Sequence, residues 1–398
     1  MHERKHHSVD ENRDRPLSFK WRVDGAALRE LVDLPPVKNE RIGRAMESAV
    51  AHAILSARED PTKRTSYSRR RDWYAGMERY NGDGYTFTTV VPAIDALVDA
   101  EIFVEPDRRP PGTASTGVQS SFLPAAWLAE LKVPKIKRVP GELIRLKDKN
   151  GILQNYRDTQ RTSDERKLLV KANAVIAKTD IRLDAPGGVV DGEAIRFDAH
   201  TVYPDMIEMY RVYNGGWTSG GRYYGGWWQS VRSEDRQHFI LDGEQTVEID
   251  YEQLHPRLLY ALAGKHLDGD AYTLDGWERK LCKRAFNILI NATGYHQALG
   301  AILPYVDGCD VTARELIADI KNKHTAIKDY IHSGAGLRLQ NMDSEMCRYV
   351  LAQMTVRHGI PVLPVHDSFI VPQSAKDMLI TVMKEAFERE SGLQQIRQ

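Results

Sequence analysis

Two aspartates that are far apart in the sequence lie at the ends of short strand-like segments. Asp250 follows Val247 and Ile249 in TVEIDYEQLHPRLLYALAG, and Asp367 lies among the apolar residues of GIPVLPVHDSFIVP. A carboxylate in such a segment is costly to bury unless it is paired. Adjacent strands would bring the two carboxylates together, and Mg²⁺ prefers oxygen ligands of this kind. The pair therefore predicts a divalent-metal site.

A third stretch, DAYTLDGWERKLCKRAFNILINA, predicts a helix that begins at Asp270. One face of this helix carries two cations and two amides at four-residue intervals: Arg279, Lys283, Asn287 and Asn291. A solvated face is one interpretation, and a face that holds a triphosphate is the other. Phosphoryl transfer requires mainly positioning and charge neutralisation. Together with two carboxylate-bound metals, these are the parts of a nucleotidyltransferase.

The length, composition and cysteine count of the chain limit the class of protein it can be. Of the 398 residues 42% are apolar, enough for two or three packed domains. No apolar run approaches the roughly 18 residues of a membrane span, and the polar MHERKHHSVDENRDRP is unlike a signal peptide. Cys282, Cys309 and Cys347 are isolated, which argues against a disulfide framework and a cysteine zinc site. The sequence therefore predicts a cytoplasmic protein with no membrane contact.

Charge is balanced over the whole chain but not locally. Between Lys132 and Arg182 there are 14 Lys and Arg against 6 Asp and Glu, an excess of +8. Such an excess predicts contact with a phosphate backbone, and ordinary solvated surface is the alternative. The segment includes SDERKLLVKANAVIAKT, a helix expected to be capped at Ser163.

Residues 37–130 have the pattern of a winged helix-turn-helix. A helix from Arg41 to Arg58 precedes a second helix, TTVVPAIDALVDA, and two strand-like segments are joined by a loop with Arg108 and Arg109. Such modules usually place the second helix in the major groove of DNA and the wing on its backbone. A protein-interaction domain of the same shape is the alternative.

Capping signals predict where two further helices begin. Thr88 or Thr89 is expected to cap the second of these N-terminal helices, with Pro92 in its first turn. The run TARE predicts a capping box of Thr312 and Glu315 at the start of a helix that ends near residue 333.

Five blocks resemble, in order, the motifs of the family-A polymerases, which include bacterial DNA polymerase I and the phage single-subunit RNA polymerases. GGRYYGGWWQS resembles the Gly-Arg segment of the DNA enzymes, DYEQLHPRLLYALAG motif A, and RKLCKRAFNILINA motif B. RLQNMDSEM resembles the glutamine-bearing helix, and VHDSFIV resembles motif C. The resemblance covers about residues 214–372.

The resemblance implies roles at the reacting centre. Asp250 and Asp367 would bind two Mg²⁺ ions, with Mn²⁺ as the alternative metal, and the backbone carbonyl of Tyr251 would be a further ligand. Arg279 and Lys283 would hold the incoming triphosphate.

The resemblance also implies contacts to the nucleic acid. Arg222 and His366 would contact the primer end, and Gln340 the minor groove of the template or primer. A simple salt-bridge partner is the alternative for Arg222, and a helix-surface residue is the alternative for Gln340.

Three positions depart from the family pattern and affect nucleotide choice. His255 replaces the Glu that excludes the ribose 2′-hydroxyl in the DNA enzymes, where the RNA enzymes have a small residue. Asn287 and Asn291 replace the usual aromatic residues or Met of motif B. We interpret His255 as a bulky gate against ribonucleotides.

The implied fold is an α+β right-hand polymerase with palm, fingers and thumb and an N-terminal winged-helix-like domain. We predict a flexible arm over 1–36, the winged helix over 37–130, a basic thumb-like segment over 131–185, and palm and fingers over 186–398. The predicted protein is a monomer.

The predicted activity is addition of dNTPs to the primer end of a DNA primer–template, without proofreading. Repair synthesis, lesion bypass and mobile-element replication all fit such an enzyme. The alternatives are an RNA polymerase or primase-like enzyme, and an inactive DNA-binding regulator.

Overall fold

The computed structural model describes residues 15–37, 39–75, 77–81, 84–108, 120–132, 136–138, 141–191, 194–197 and 200–392. The chain forms two compact units, residues 1–142 and 143–398, and its fold is α+β. None of the described helices combines the length and the apolar character that a membrane crossing needs.

The first unit combines short strands with two main helices. Its elements are β1 (Arg15–Pro16), β2 (Trp21–Arg22), α1 (Gly25–Leu31), α2 (Glu40–Glu59), β3 (Thr65–Tyr67), α3 (Arg71–Tyr74), α4 (Glu78–Asn81), α5 (Phe87–Asp99), β4 (Phe103–Asp107), β5 (Ser120–Pro124) and β6 (Lys137–Arg138). One sheet has the order β1-β3-β5-β4, and β2 pairs with β6. The apolar faces of α2 and α5 supply much of the core, including Val50, Ile54 and Ile94.

The start of α5 differs from the prediction. Its N-cap is Thr86 rather than Thr88 or Thr89, because the backbone N–H of Thr86 donates to the Thr89 hydroxyl in a capping box. Pro92 consequently lies inside the helix rather than in its first turn.

Residues 15–36, predicted as part of a flexible arm, contain β1, β2 and α1. Asp24 caps α1 with its side chain, and Leu28 and Val32 are buried in the core of the first unit. This apolar burial fixes the segment, and within the predicted arm the runs FKWRV and GAALRELVDL predict the short strand and the helix found there. Residues 1–14 of the predicted arm lie outside the described residues, as does Arg109.

The second unit holds every predicted site residue. Its elements are β7 (Ile144–Lys147), α6 (Gln160–Ile176), β8 (Ile181–Leu183), β9 (Val189–Asp191), β10 (Ala194–Phe197), β11 (His200–Val202), β12 (Tyr210–Asn214), β13 (Gly220–Tyr224), α7 (Ser233–Arg236), β14 (Phe239–Leu241), β15 (Glu244–Asp250), α8 (Leu254–Leu262), α9 (Arg279–Asn291), α10 (Tyr295–Ile302), α11 (Asp310–Lys323), α12 (Gly336–Val350), β16 (Leu363–Val365), β17 (Ser368–Pro372) and α13 (Lys376–Ser391). The sheets have the orders β16-β17-β15-β14-β8, β13-β12-β7 and β11-β10-β9.

Two helices of this unit begin where turn chemistry, rather than periodicity, places them. α6 is capped by Thr159, whose hydroxyl accepts from the Thr162 N–H, and not by Ser163. α9 begins at Arg279 instead of Asp270, because the Asp270 carboxylate accepts from the Tyr272 N–H in a preceding turn.

The predicted helix of residues 312–333 is shorter and starts earlier. α11 begins at Asp310, so Thr312 lies within its first turn and does not cap it. The helix ends at Lys323 because the next side chain, His324, is held in the core by the Tyr260 hydroxyl and the Ala271 carbonyl.

Candidate active site

The two aspartates are brought together by the antiparallel pairing of β15 with β17. β15 pairs with β17 so that Asp250 lies opposite Ser368, and His366 and Asp367 form the two-residue turn between β16 and β17. His366 adopts a positive φ of 58°, which closes this turn. The N–H of Tyr251 donates to the carbonyl of Asp367 at 3.3 Å. Both carboxylates therefore lie at the same end of the sheet.

The electrostatics of Asp250 reflect this proximity. Partial burial and the neighbouring charge of Asp367 raise the pKa of Asp250 to about 6, and the ammonium of Lys283 acts in the opposite direction. Two carboxylates that repel each other in this way would be stabilised by a cation placed between them.

Side-chain hydrogen bonds next to Asp250 stabilise the pairing of β15 with β17. Ser368 donates to Glu248 at 2.5 Å, and both Nε and Nη2 of Arg236 donate to the Glu248 carboxylate at 2.8 Å. Bidentate pairs of this kind fix orientation as well as charge. They hold the strand position opposite Asp250.

The donor set at this end of the sheet fits a magnesium-like cation. Within the described residues, no group of three or more His, Cys, Asp or Glu side chains could enclose a metal ion. Asp250, Asp367 and the Tyr251 carbonyl would leave several ligand positions to water and substrate. Mg²⁺ is usually bound by one or two carboxylates together with substrate phosphates, so this donor set is sufficient.

The four polar residues predicted along one face of α9 have different contacts in the structure. Both Nε and Nη2 of Arg279 donate to Asp270, at 2.8 and 2.7 Å, so this arginine is held by its own chain. The charge of Lys283 instead lowers the pKa of Asp250, and its side chain lines an open groove of about 510 Å³. The groove is lined by Lys280, Lys283, Arg284, Asn287, Ile288, Asn291 and Tyr305. Its three cations make it suitable for a phosphate chain.

Asn291 also has a structural contact. Its side-chain amide donates to the carbonyl of Asn287 at 2.7 Å. A Cβ at Gly336 would lie 1.7 Å from Asn291 Oδ1, so the side chain is pressed against the start of α12. Asn291 therefore helps to pack α9 on α12 at the edge of the groove.

His255 is neutral at physiological pH. Burial lowers the pKa of its imidazole to about 4, and the charge of Arg222 adds to this effect. The described residues provide no hydrogen-bond partner for its Nε2. The side chain can therefore act by shape rather than by charge.

Arg222 is paired with an acid that the sequence analysis did not select. Its Nε donates to Asp343 Oδ2 at 2.8 Å, and its Nη2 forms an ion pair with the same oxygen at 2.7 Å. Burial raises the pKa of Asp343 to about 7, and Arg222 opposes the rise. The salt-bridge alternative for Arg222 is thus observed, and a contact with the primer stays a prediction.

His366 and Gln340 lie on the elements predicted for them. The ring of His366 is 6.3 Å from that of Tyr224 on β13, and burial together with Arg222 lowers the pKa of its imidazole. Gln340 is partly exposed near the start of α12. Their predicted contacts with nucleic acid stay predictions.

No protein-family model and no curated protein matches the chain. Among solved structures, it is similar to the "POL domain of Pol1 from M. smegmatis complex with DNA primer-template and dNTP". The identity is 11% and the TM-score 0.33, over 58% of this chain and 49% of that one. The chain thus spans about half the length of the polymerase domain it matches. A TM-score this low does not establish a shared fold, so the function must be argued from the aspartates and their surroundings.

Lys280 and Asp343 were missed by sequence reasoning, for different reasons. Lys280 lies three residues before Lys283 in RKLCKRA, so helical spacing could have revealed it. Asp343 lies in RLQNMDSEM among polar residues, and only the contact of α12 with β13 identifies its partner.

Proposed function

We propose that the chain is a template-directed nucleotidyltransferase of the family-A polymerase type, which adds dNTPs to a primer 3′-hydroxyl. The observation that carries the proposal is the antiparallel pairing of β15 with β17, which brings Asp250 and Asp367 to the same end of the sheet, where the charge of Asp367 raises the pKa of Asp250. Holding two like charges side by side is unfavourable unless a cation neutralises them, so this arrangement supports a metal site.

The surrounding residues supply what phosphoryl transfer requires. Asp250 and Asp367 would hold two Mg²⁺ ions, which when bound supply activation of the 3′-hydroxyl and neutralisation of the charge on the transferred phosphoryl group. Lys283, with Lys280 and Arg284 in the same groove, would bind and orient the triphosphate. Catalysis would then depend on positioning and charge rather than on covalent chemistry.

We propose that the right-hand arrangement of palm, fingers and thumb applies to the second unit. β15 to β17 with α8 and α12 would form the palm, α9 the fingers, and α6 part of a thumb-like segment. We also propose that synthesis proceeds without proofreading. The described residues before Leu143 have a helix-and-strand order like that of a winged helix.

An RNA polymerase or primase-like activity is the second candidate. Arg284 follows Lys283 directly, lines the same groove, and lies over the ring of Tyr305 at 4.3 Å. The adjacent Lys-Arg pair resembles the RNA enzymes, so NTPs are included as substrates in the test below.

Primer extension with Mg²⁺ tests the proposal. The unchanged chain should extend a primer on a DNA template with dNTPs, and both Asp250→Asn and Asp367→Asn should lower the rate by about a thousandfold or more, because each removes a metal-binding charge. Asp268→Asn, at a highly exposed position, is the matched control and should leave the rate unchanged. No incorporation of dNTPs or NTPs on any template would leave a DNA-binding regulator as the remaining interpretation.

A further inference from the structure

Asp343 is a buried acid that the proposed reaction does not use. It is 2% exposed on α12, and its Oδ2 accepts a hydrogen bond from Nε of Arg222 on β13 and forms an ion pair with Nη2 of the same side chain. A buried carboxylate of this kind is costly unless its pairing serves the fold or the site.

The pair is built into the contact between α12 and β13. Gly221 adopts a φ of +89°, and a Cβ there would lie 2.7 Å from the hydroxyl of Ser344. The side chains of Asn341 and Ser344 donate to the carbonyl of Gly220 at 3.2 and 3.3 Å. The helix therefore lies directly on the glycine-bearing strand, which places Asp343 against Arg222.

The strand that carries Arg222 lies next to the β16–β17 turn, which holds His366 and Asp367. Tyr224 is two residues from Arg222 on the same face of β13, and its ring contacts that of His366. The charge of Arg222 lowers the pKa of His255 and of His366. The charge of Asp367 raises the pKa of both histidines and of Asp343. A guanidinium released from Asp343 would thus find the carboxylate of Asp367 nearby.

We propose that Asp343 is a positioning residue that holds Arg222 away from Asp367 and so keeps that carboxylate available to a divalent cation. A free guanidinium pairs readily with a carboxylate, and such a pair would compete with the metal for Asp367. Asp343 holds the guanidinium of Arg222 through Nε and Nη2, which lie 2.8 and 2.7 Å from its Oδ2. The inference rests on the metal site of the proposed function.

The test measures Mn²⁺ binding by electron paramagnetic resonance at pH 8, above the pKa of Asp343 of about 7. Asp343→Asn keeps the side-chain size but releases Arg222, and should weaken Mn²⁺ affinity by about tenfold, as loss of an outer-shell partner does. Adding Arg222→Gln to this variant removes the competing cation and should restore the affinity.

Glu345→Gln is the matched control. Glu345 lies on the same helix and pairs with Arg211 at 2.7 Å, so the variant also removes the charge of an acid paired with an arginine. It should leave Mn²⁺ affinity unchanged. Circular dichroism of each variant checks that the fold is retained.

Unchanged Mn²⁺ affinity in Asp343→Asn, or no recovery in the double variant, would overturn the role of Asp343 alone. An equal loss in Glu345→Gln would also overturn it, because it would indicate general loosening of α12. If the unchanged chain binds no Mn²⁺, or binds it equally well with Asp250→Asn, the metal site fails and the proposed function fails with it.

Discussion

At the scale of single residues, His255 determines the choice of sugar in our proposal. Its imidazole is neutral because burial lowers its pKa to about 4, so it would exclude a 2′-hydroxyl by size. His255→Ala should raise the ratio of NTP to dNTP use by about tenfold, since opening a pocket by a few atoms gives an effect of this order. The ratio of kcat/KM values for the two substrates measures it.

The unchanged chain should show little dependence of sugar choice on pH between 6 and 8. A folded-state pKa of about 4 means that the imidazole does not gain a proton in this range. His358→Ala, at an exposed position, is the control. An unchanged ratio in His255→Ala would remove the proposed gate.

Residue types and spacing located the two aspartates but not the side-chain partners of the arginines. Asp250 and Asp367 could be found because each follows a short apolar strand, and strand pairing then brings them together. The pairing of Arg222 with Asp343 could not be found, because it joins residues 121 positions apart through a helix-to-strand contact. Arg279 was assigned to the triphosphate, yet Asp270 holds its guanidinium.

At the scale of elements, the close contact of α9 with α12 depends on a glycine. Gly336→Ala would place a Cβ 1.7 Å from Asn291 Oδ1. We expect it to lower the free energy of unfolding by about 2 kcal/mol, as overpacking commonly does. Adding Asn291→Ala should recover most of the loss, because it removes the obstructing side chain.

Denaturant unfolding followed by circular dichroism measures both variants. Gly300→Ala is the control, since Gly300 lies within α10 with no atom within 4 Å of the added Cβ. An alanine there should be neutral or slightly stabilising. If Gly336→Ala lowers the free energy of unfolding and Asn291→Ala does not restore it, the clash with Asn291 is not the cause.

Hairpins and long amphipathic helices were predicted well, whereas helix starts were not. The turn of Asp242 and Gly243, both at positive φ, joins β14 to β15 where the sequence DGE predicts it. The starts of α5 and α6 depend on which nearby Thr hydrogen-bonds the first turn, and several candidates lie within a few residues of each other. Periodicity alone does not choose between them.

At the scale of the whole molecule, the distribution of charge bears on the role of the first unit. The order α2-β3-α3-α4-α5-β4-β5, with β5 paired to both β3 and β4, agrees with the predicted winged helix, which stays a prediction. The helix predicted to enter the major groove, α5, carries Asp95 and Asp99 but no Lys or Arg. Asp95 also pairs with Arg69 and Arg108. The described part of this module therefore favours the protein-interaction alternative.

The basic segment offers a better source of DNA affinity. Arg166 and Lys167 on α6 are paired with Asp158 and Asp164, while Lys171 and Lys178 are exposed. We therefore expect residues 143–398 to retain most of the affinity for a primer–template.

Deletion of residues 1–142, measured by fluorescence anisotropy over a range of salt concentrations, tests this division of roles. Each phosphate contact contributes about 0.9 to the slope of log affinity against log salt, so the slope should change by less than about one. The deletion also removes residues 109–119, part of the predicted wing, so any contribution from them is included. Lys171→Gln with Lys178→Gln in the full chain is the matched comparison, and it should lower the slope by about two. A larger fall on deletion than in this double variant would restore the first unit as the DNA-binding module.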